Sequence, residues 1–296
     1  MVTTLKRSKT SSGKKSIMEF IGAHVSTAGG VQNCFQNAER IGANCIQIFG
    51  SSPRTWKSNL PTKETLNLYK QEQSRTQINE VFLHAAYLVN LATPNKELRQ
   101  KSINSLIDDL KIAEALKARG LIFHLGSYKD TTKEEAYQKV ADGMNEVLAK
   151  TSGSTKLIME NSAGGGNKIG LTAEEIGTMF NLANNDRIKI CIDTAHAFGA
   201  GILNTYSPEE LNAFAATCEK AFGLKNIIVL HINDSLVPFD SKKDRHENIG
   251  EGHIGLPAFQ NLANHPHFNS IPWILEVPGF QGTGPDKQNI DILKSL

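Results

Sequence analysis

Short runs of Ile, Val, Leu and Phe recur about every 35 to 40 residues along this chain, each followed by a longer stretch with helical spacing of its apolar residues. Eight such runs are present: EFIGAHV (19–25), NCIQIFG (44–50), EVFLHA (80–85), GLIFHLG (120–126), KLIMEN (156–161), IKICIDT (188–194), NIIVLHIND (226–234) and PWILEVP (272–278). Between them, segments such as LRQKSINSLIDDLKIAEALKA and EEAYQKVADGMNEVLAK set apolar residues three and four apart. That is the pattern of a crossover helix with one buried face. Eight strand–helix units in series predict an α/β fold in which a parallel sheet closes into a TIM (β/α)8 barrel, and 296 residues is an ordinary length for one. No linker rich in Pro, Gly and Ser interrupts the series, so residues 18–296 are read as a single domain.

Residues 1–17 are different in kind. They are rich in Ser, Thr and Lys, have almost nothing to bury, and read as a basic disordered arm. The arm carries Lys6, Arg7, Lys9, Lys14 and Lys15 with no acid, so the remainder of a chain of net charge +2 is at −3. Net charge alone neither favours nor excludes nucleic acid as a partner, because each bound divalent cation returns two positive charges to the local field. The four cysteines, Cys34, Cys45, Cys191 and Cys218, are scattered without a CxxC pair. They suggest neither a disulfide framework nor a thiolate zinc knuckle, and a reducing, intracellular compartment is expected. No run of about 18 apolar residues is present to span a bilayer, and no membrane partner is expected.

The chemistry lies where the runs end. In order, their polar residues are His24, Gln47, His84, His124, Glu160, Asp193, His231 and Glu276. In a TIM barrel all eight C-terminal strand ends converge on one face, so residues far apart in sequence become a single cluster. His24 alone would read as a structural histidine. Several imidazoles and carboxylates together would be costly to bury without cations, and they are the ligands that Zn²⁺ and Mn²⁺ prefer. CIDTAHAFGAG adds His196, and KKDRHENIGEG adds Asp244 and His246, which are two apart and can point the same way on an extended segment. The set exceeds the needs of one four- or five-coordinate ion; two or three metals are expected.

These residues sit in segments that resemble the endonuclease IV family, zinc-dependent apurinic/apyrimidinic endonucleases, from about Met18 to about Pro278. The segments are IGAHVSTAGG, SSPRTW, HAAYLVNL, FHLGS, MENSAGGG, CIDTAHAFGAG, LHINDS, DRHENIGEGHIG and ILEVPG, in the family's order and spacing. The resemblance implies a xylose isomerase-like barrel with three Zn²⁺ ions, Mn²⁺ being an alternative at one site. One ion would be held by His84, His124 and Glu160, a second by Glu160, Asp193, His231 and Glu276, and a third by His196, Asp244 and His246. Glu160 would bridge the first two and is the residue assigned to catalysis. The substrate implied is damaged duplex DNA, cut 5′ to an abasic site to leave a 3′-hydroxyl and a 5′-deoxyribose phosphate, with trimming of blocked 3′ ends. Arg54, Tyr87 and Leu88 would wedge into the duplex at the lesion, while Trp56 reads as packing. A monomer is expected, since one kinked duplex needs no partner subunit. Leu125 stands where many relatives carry Pro and Glu247 where some carry His; neither is assigned as a ligand. The rival readings are a metal-dependent sugar isomerase on the same barrel and a non-catalytic lesion-binding protein with structural metals.

Overall fold

The computed structural model describes residues 18–56 and 58–296; the basic arm lies outside the described residues. All eight runs form strands: β1 (Ile21–His24), β2 (Cys45–Phe49), β3 (Glu80–His84), β4 (Gly120–His124), β5 (Lys156–Glu160), β6 (Ile188–Asp193), β7 (Ile227–His231) and, after a short antiparallel ribbon of β8 (Asp234–Ser235) and β9 (His246–Glu247), β10 (Trp273–Leu275). The eight long strands pair in parallel and close as β1-β10-β7-β6-β5-β4-β3-β2. The helices are α1 (Asn33–Ile41), α2 (Lys63–Thr76), α3 (Lys96–Ala115), α4 (Lys133–Ala149), α5 (Ala173–Ala183), α6 (Thr194–Gly199), α7 (Pro208–Ala221), α8 (Leu256–Asn264) and α9 (Lys287–Lys294). Local chemistry fixes where several of them start. Thr62, Asn95, Thr132, Thr172 and Ser207 each accept a hydrogen bond from the backbone N–H three residues on, a cap worth about 1 kcal/mol.

Strand alternation turns this frame into a site. Cys45, Phe82, Ile122, Ile158, Cys191, Val229 and Ile274, one from each of seven strands, form their own fully buried cluster. Each stands two residues before a polar residue singled out above: Gln47, His84, His124, Glu160, Asp193, His231 and Glu276. A period of two puts both members of each pair on the same side of the sheet, so the apolar layer is the floor on which the polar layer stands. Gly22, two before His24, belongs to the same row; a Cβ there would lie 1.8 Å from the carbonyl oxygen of Cys45. The register slips once, between Ile190 and Cys191 against β7, and the slip brings Asp193 opposite His231. Such irregularities re-aim side chains beside active sites.

A buried carboxylate organises the rim. Asp234 accepts backbone N–H bonds from Ser235 (2.7 Å), Gly250 (3.0 Å), Gly252 (3.2 Å), Ile254 (2.9 Å) and Gly255 (3.2 Å). A Cβ on Gly252 would come within 2.4 Å of that carboxylate, so the loop can wrap it because residue 252 has no side chain. The wrapped loop backs the β8–β9 ribbon, and His246 is the first residue of β9.

Candidate metal centre

Glu160, at the end of β5, is almost fully buried and its two oxygens face different partners. Oε2 lies 3.2 Å from His84 Nε2 and 3.5 Å from His124 Nδ1, whereas Oε1 lies 3.1 Å from His231 Nδ1 and 3.2 Å from His196 Nδ1. Around it, ligand-type atoms within 4.8 Å of one another fall into three groups. The first is His84, His124 and Glu160; the second is Glu160, Asp193, His231 and Glu276. The third is Asp193, His196 and His246. Asp244 adjoins this third group, its two oxygens 3.2 Å from His196 Nε2 and 3.3 Å from His246 Nε2, so Asp244 and His246 do point the same way. Compared with the grouping by sequence, the structure adds Asp193 to the third group, as a carboxylate shared with the second.

Backbone carbonyls fix which nitrogen several of these rings present. Nδ1 of His84 lies 2.8 Å from the carbonyl of Ala85, that of His196 3.0 Å from Asn161, and that of His246 3.3 Å from Glu276. A carbonyl only accepts, so each Nδ1 keeps its proton, and Nε2, turned to the cluster, is the nitrogen left to serve as a ligand. His246 Nε2 is buried and makes no hydrogen bond among the described residues. The carboxylates are braced as well. Asp193 caps α6 by accepting from His196 N (2.7 Å), and Asn233 donates to Asp193 Oδ2 (2.7 Å) while accepting from Glu276 N (2.8 Å). Asn161 and Asp193 are paired backbone to amide, at 2.6 and 3.1 Å. Neither asparagine was singled out from sequence, although Asn161 adjoins Glu160 and Asn233 lies two beyond His231, the spacing that would have pointed to it.

The charge balance shows what the cluster is built to hold. Burial disfavours the carboxylate of Glu160, yet the histidines around it, His124 and His231 foremost, hold it well below the usual range. Glu276 is likewise held low, against its burial, by His231 and His24. Burial raises Asp193. Burial also opposes the charged forms of His84, His196 and His231, but the adjoining carboxylates overcome it and raise all three. For His124 burial wins, and the ring is pushed down to about 4. Protons on the histidines thus stand in for positive charge among four carboxylates. Imidazole nitrogens and carboxylate oxygens grouped this closely, with the His246 Nε2 that faces Asp244 making no hydrogen bond, fit zinc-type divalent cations.

The cluster opens into a cavity of about 890 Å³ whose walls include His24, Phe49, Ser51 to Pro53, Tyr87, Arg245 and Pro285. Tyr87 is 64% exposed and meets Phe49 edge-on, with ring centres 5.6 Å apart; Leu88 is 37% exposed. Tyr87 therefore stands at the mouth, and Leu88 lines an adjoining pocket shared with Tyr87, His124 and Asp244. Arg54 is exposed on the β2–α2 loop, whose neighbours Ser51 to Pro53 line the cavity while Arg54 does not. Gly164, Gly165 and Gly166 all have positive φ, and a Cβ on Gly165 would lie 2.6 Å from the carbonyl oxygen of Lys242; Gly165 serves a close approach of two loops.

The base of the Arg54 loop is tied to α3. Asp109, 1% exposed, accepts from Ser58 Oγ (2.8 Å) and Ser51 Oγ (3.3 Å). Burial pushes this acid up to about 6 against those two hydrogen bonds. A raised acid favours folding below its unfolded value, and the benefit is lost as pH rises through about 6. Between about pH 5 and pH 7.5, Asp109→Asn is expected to gain about 1–1.5 kcal/mol on the parent in urea unfolding. A gap independent of pH would show that Asp109 titrates normally.

The comparisons with known proteins agree with this geometry. The family model of the xylose isomerase-like TIM barrel matches residues 35–296. Probable endonuclease 4 of Chloroflexus aggregans is 36% identical over 281 residues, covering 94% of this chain and 98% of that one, and the protein of the same name from Aquifex aeolicus matches to the same extent. The crystal structure of endonuclease IV from Thermus thermophilus superposes with a TM-score of 0.81 at 29% identity, covering 93% of this chain and 98% of that one. A D-tagatose 3-epimerase-like protein superposes at 0.69 with 16% identity, a likeness of fold alone. With identity sustained over nearly the whole length, and histidines and acids gathered at the rim of a closed barrel, the chain belongs to the endonuclease IV family, as a nuclease of the AP endonuclease type.

Proposed function

We propose that this protein incises duplex DNA 5′ to abasic sites, leaving a 3′-hydroxyl and a 5′-deoxyribose phosphate, and trims blocked 3′ ends in the same cavity. The observation that carries the reading is Glu160, whose two oxygens are divided between His84 with His124 on one side and His231 on the other. That is the arrangement of a carboxylate that bridges two cations. In the proposed assignment His84, His124 and Glu160 hold one Zn²⁺, and Glu160, Asp193, His231 and Glu276 a second. His196, Asp244 and His246 hold the third, with Asp193 alongside; Mn²⁺ is an alternative at one site. Divalent cations held by these residues would supply a water nucleophile at neutral pH and positive charge for the phosphodiester and the departing 3′ oxygen.

The chain's own residues supply the rest. Glu160, Asp193 and His231 are buried and braced by hydrogen bonds, so the site is set before substrate arrives. In this reading Tyr87, exposed beside the rings of His84 and His124, and the adjoining Leu88 would enter the gap left by a missing base, and Arg54 would reach the duplex from the β2–α2 loop. An abasic nucleotide has lost its stacking and turns out of the helix at lower cost than an intact one. The protein is proposed to act as a monomer, inside the cell where DNA is found.

The test is incision of a duplex bearing one tetrahydrofuran site by the zinc-analysed protein, with polymerase extension of the nicked strand reporting the 3′-hydroxyl. Tyr87→Ala should weaken binding to that duplex by about tenfold while changing affinity for undamaged duplex much less. An intact duplex after prolonged incubation sinks the reading; equal losses on both duplexes would make Tyr87 a packing residue.

A further inference from the structure

Gln47 was picked out among the strand-end residues but carries neither the imidazole nor the carboxylate that makes up the three ligand groups. It is 0% exposed, lies on β2 with its side chain in the polar layer, and makes three hydrogen bonds there. Oε1 is 2.7 Å from His231 Nε2; Nε2 is 2.5 Å from Glu276 Oε1 and 2.9 Å from His24 Nδ1. A carboxylate only accepts, so the amide NH₂ must face Glu276. The amide oxygen then faces His231, and a ring nitrogen that meets an accepting oxygen must carry the proton. His231 thereby keeps a proton on Nε2, and Nδ1, which faces Glu160 Oε1 (3.1 Å) and Glu276 Oε2 (3.3 Å), is the nitrogen whose proton a cation would displace. This is the reverse of His84, His196 and His246, where a backbone carbonyl takes the Nδ1 proton and Nε2 faces the cluster.

We propose that Gln47 is a positioning residue for the metal centre: one carboxamide selects the nitrogen that His231 presents and holds Glu276 beside it. The inference rests on the cation assignment given under the proposed function. A flipped amide would set oxygen against the Glu276 carboxylate, so one orientation serves all three partners. With the amide removed, His231 Nε2 loses its acceptor in a buried site and Glu276 loses a donor, and both side chains of one ligand group become free to turn.

Gln47→Leu removes all three bonds at similar size, and Gln47→Glu keeps an acceptor for His231 but sets a second carboxylate against Glu276. Zinc affinity is read by chelator competition, and melting temperature is read with and without zinc. Both variants are expected to bind one class of zinc about 10- to 100-fold more weakly. Their zinc-induced gain in melting temperature should shrink, beyond the loss that broken buried hydrogen bonds cause in the zinc-free protein; a merely structural residue would lower both temperatures together and leave that gain unchanged. Long-range ¹⁵N NMR of the zinc-loaded parent, which needs no variant to fold, should show His231 protonated at Nε2. Protonation at Nδ1, or unchanged zinc affinity in both variants, overturns the proposal. A parent that binds no zinc at all would instead sink the cation assignment itself.

Discussion

Glu160→Gln is expected to reduce single-turnover incision of a tetrahydrofuran duplex at least about 10⁴-fold, or about 5 kcal/mol of barrier. Glutamine keeps the size of the side chain and an accepting oxygen but removes the charge. Four ring nitrogens lie within 3.5 Å of the Glu160 carboxylate, and each loses its closest counter-charge. If that carboxylate bridges two cations, losing it weakens both and alters the distance between them. The fold should survive, because the floor beneath the site is a separate apolar layer that the substitution does not touch. The sign of the stability change in the zinc-free protein follows from the lowered acid. Glu160 contributes stability above the ordinary carboxylate range and loses it as pH falls through its depressed value, so near neutral pH the parent has a stabilisation that the variant lacks. Incision within tenfold of the parent would show that Glu160 is not the bridge.

Complete removal of divalent cations is expected to lower the melting temperature by at least about 15 °C. A ligand at a thousandfold excess over its dissociation constant stabilises by about 4 kcal/mol per site, and a chain of this size gains about 2–4 °C per kcal/mol. Inactivation by chelators should be slow, since each ion would be held by at least three side chains. The gap between zinc-loaded and zinc-free protein should also widen as pH rises from about 6 to about 9. In the zinc-free chain the carboxylates raise His84, His196 and His231, and the stability this gives is full below the ordinary histidine value and lost as pH rises through the raised one. Zinc needs bare nitrogens, so its binding displaces those protons and grows stronger over the same interval. A melting temperature indifferent to chelation, or a gap that narrows with rising pH, would argue against metal occupancy of these groups.

Much of this was legible beforehand because a parallel barrel repeats one simple rule. Buried parallel strands must be nearly continuous in apolar residues, so a polar residue closing such a run stands out, as His84, His124, Glu160 and His231 do at the very ends of β3, β4, β5 and β7. Two positions depart from that rule. Gln47 lies two residues inside β2 and Glu276 one residue beyond β10, yet both enter the polar layer, because strand parity and not strand length decides which side chains face inward.

The sequence by itself determined the fold class, the family and the chemical types of the ligands, since each of these is written in local pattern: the alternation of runs and helices, and imidazole or carboxylate at their ends. Tertiary structure alone decided how those ligands are shared and oriented. That Asp193 adjoins two groups, that Glu160 divides its oxygens, that Gln47 turns His231 and that Asp109 ties down the Arg54 loop rest on contacts between residues as far as 184 positions apart. Hydrogen bonds and ion pairs act over about 3 Å whatever the separation along the chain, so their partners are set by barrel closure and register.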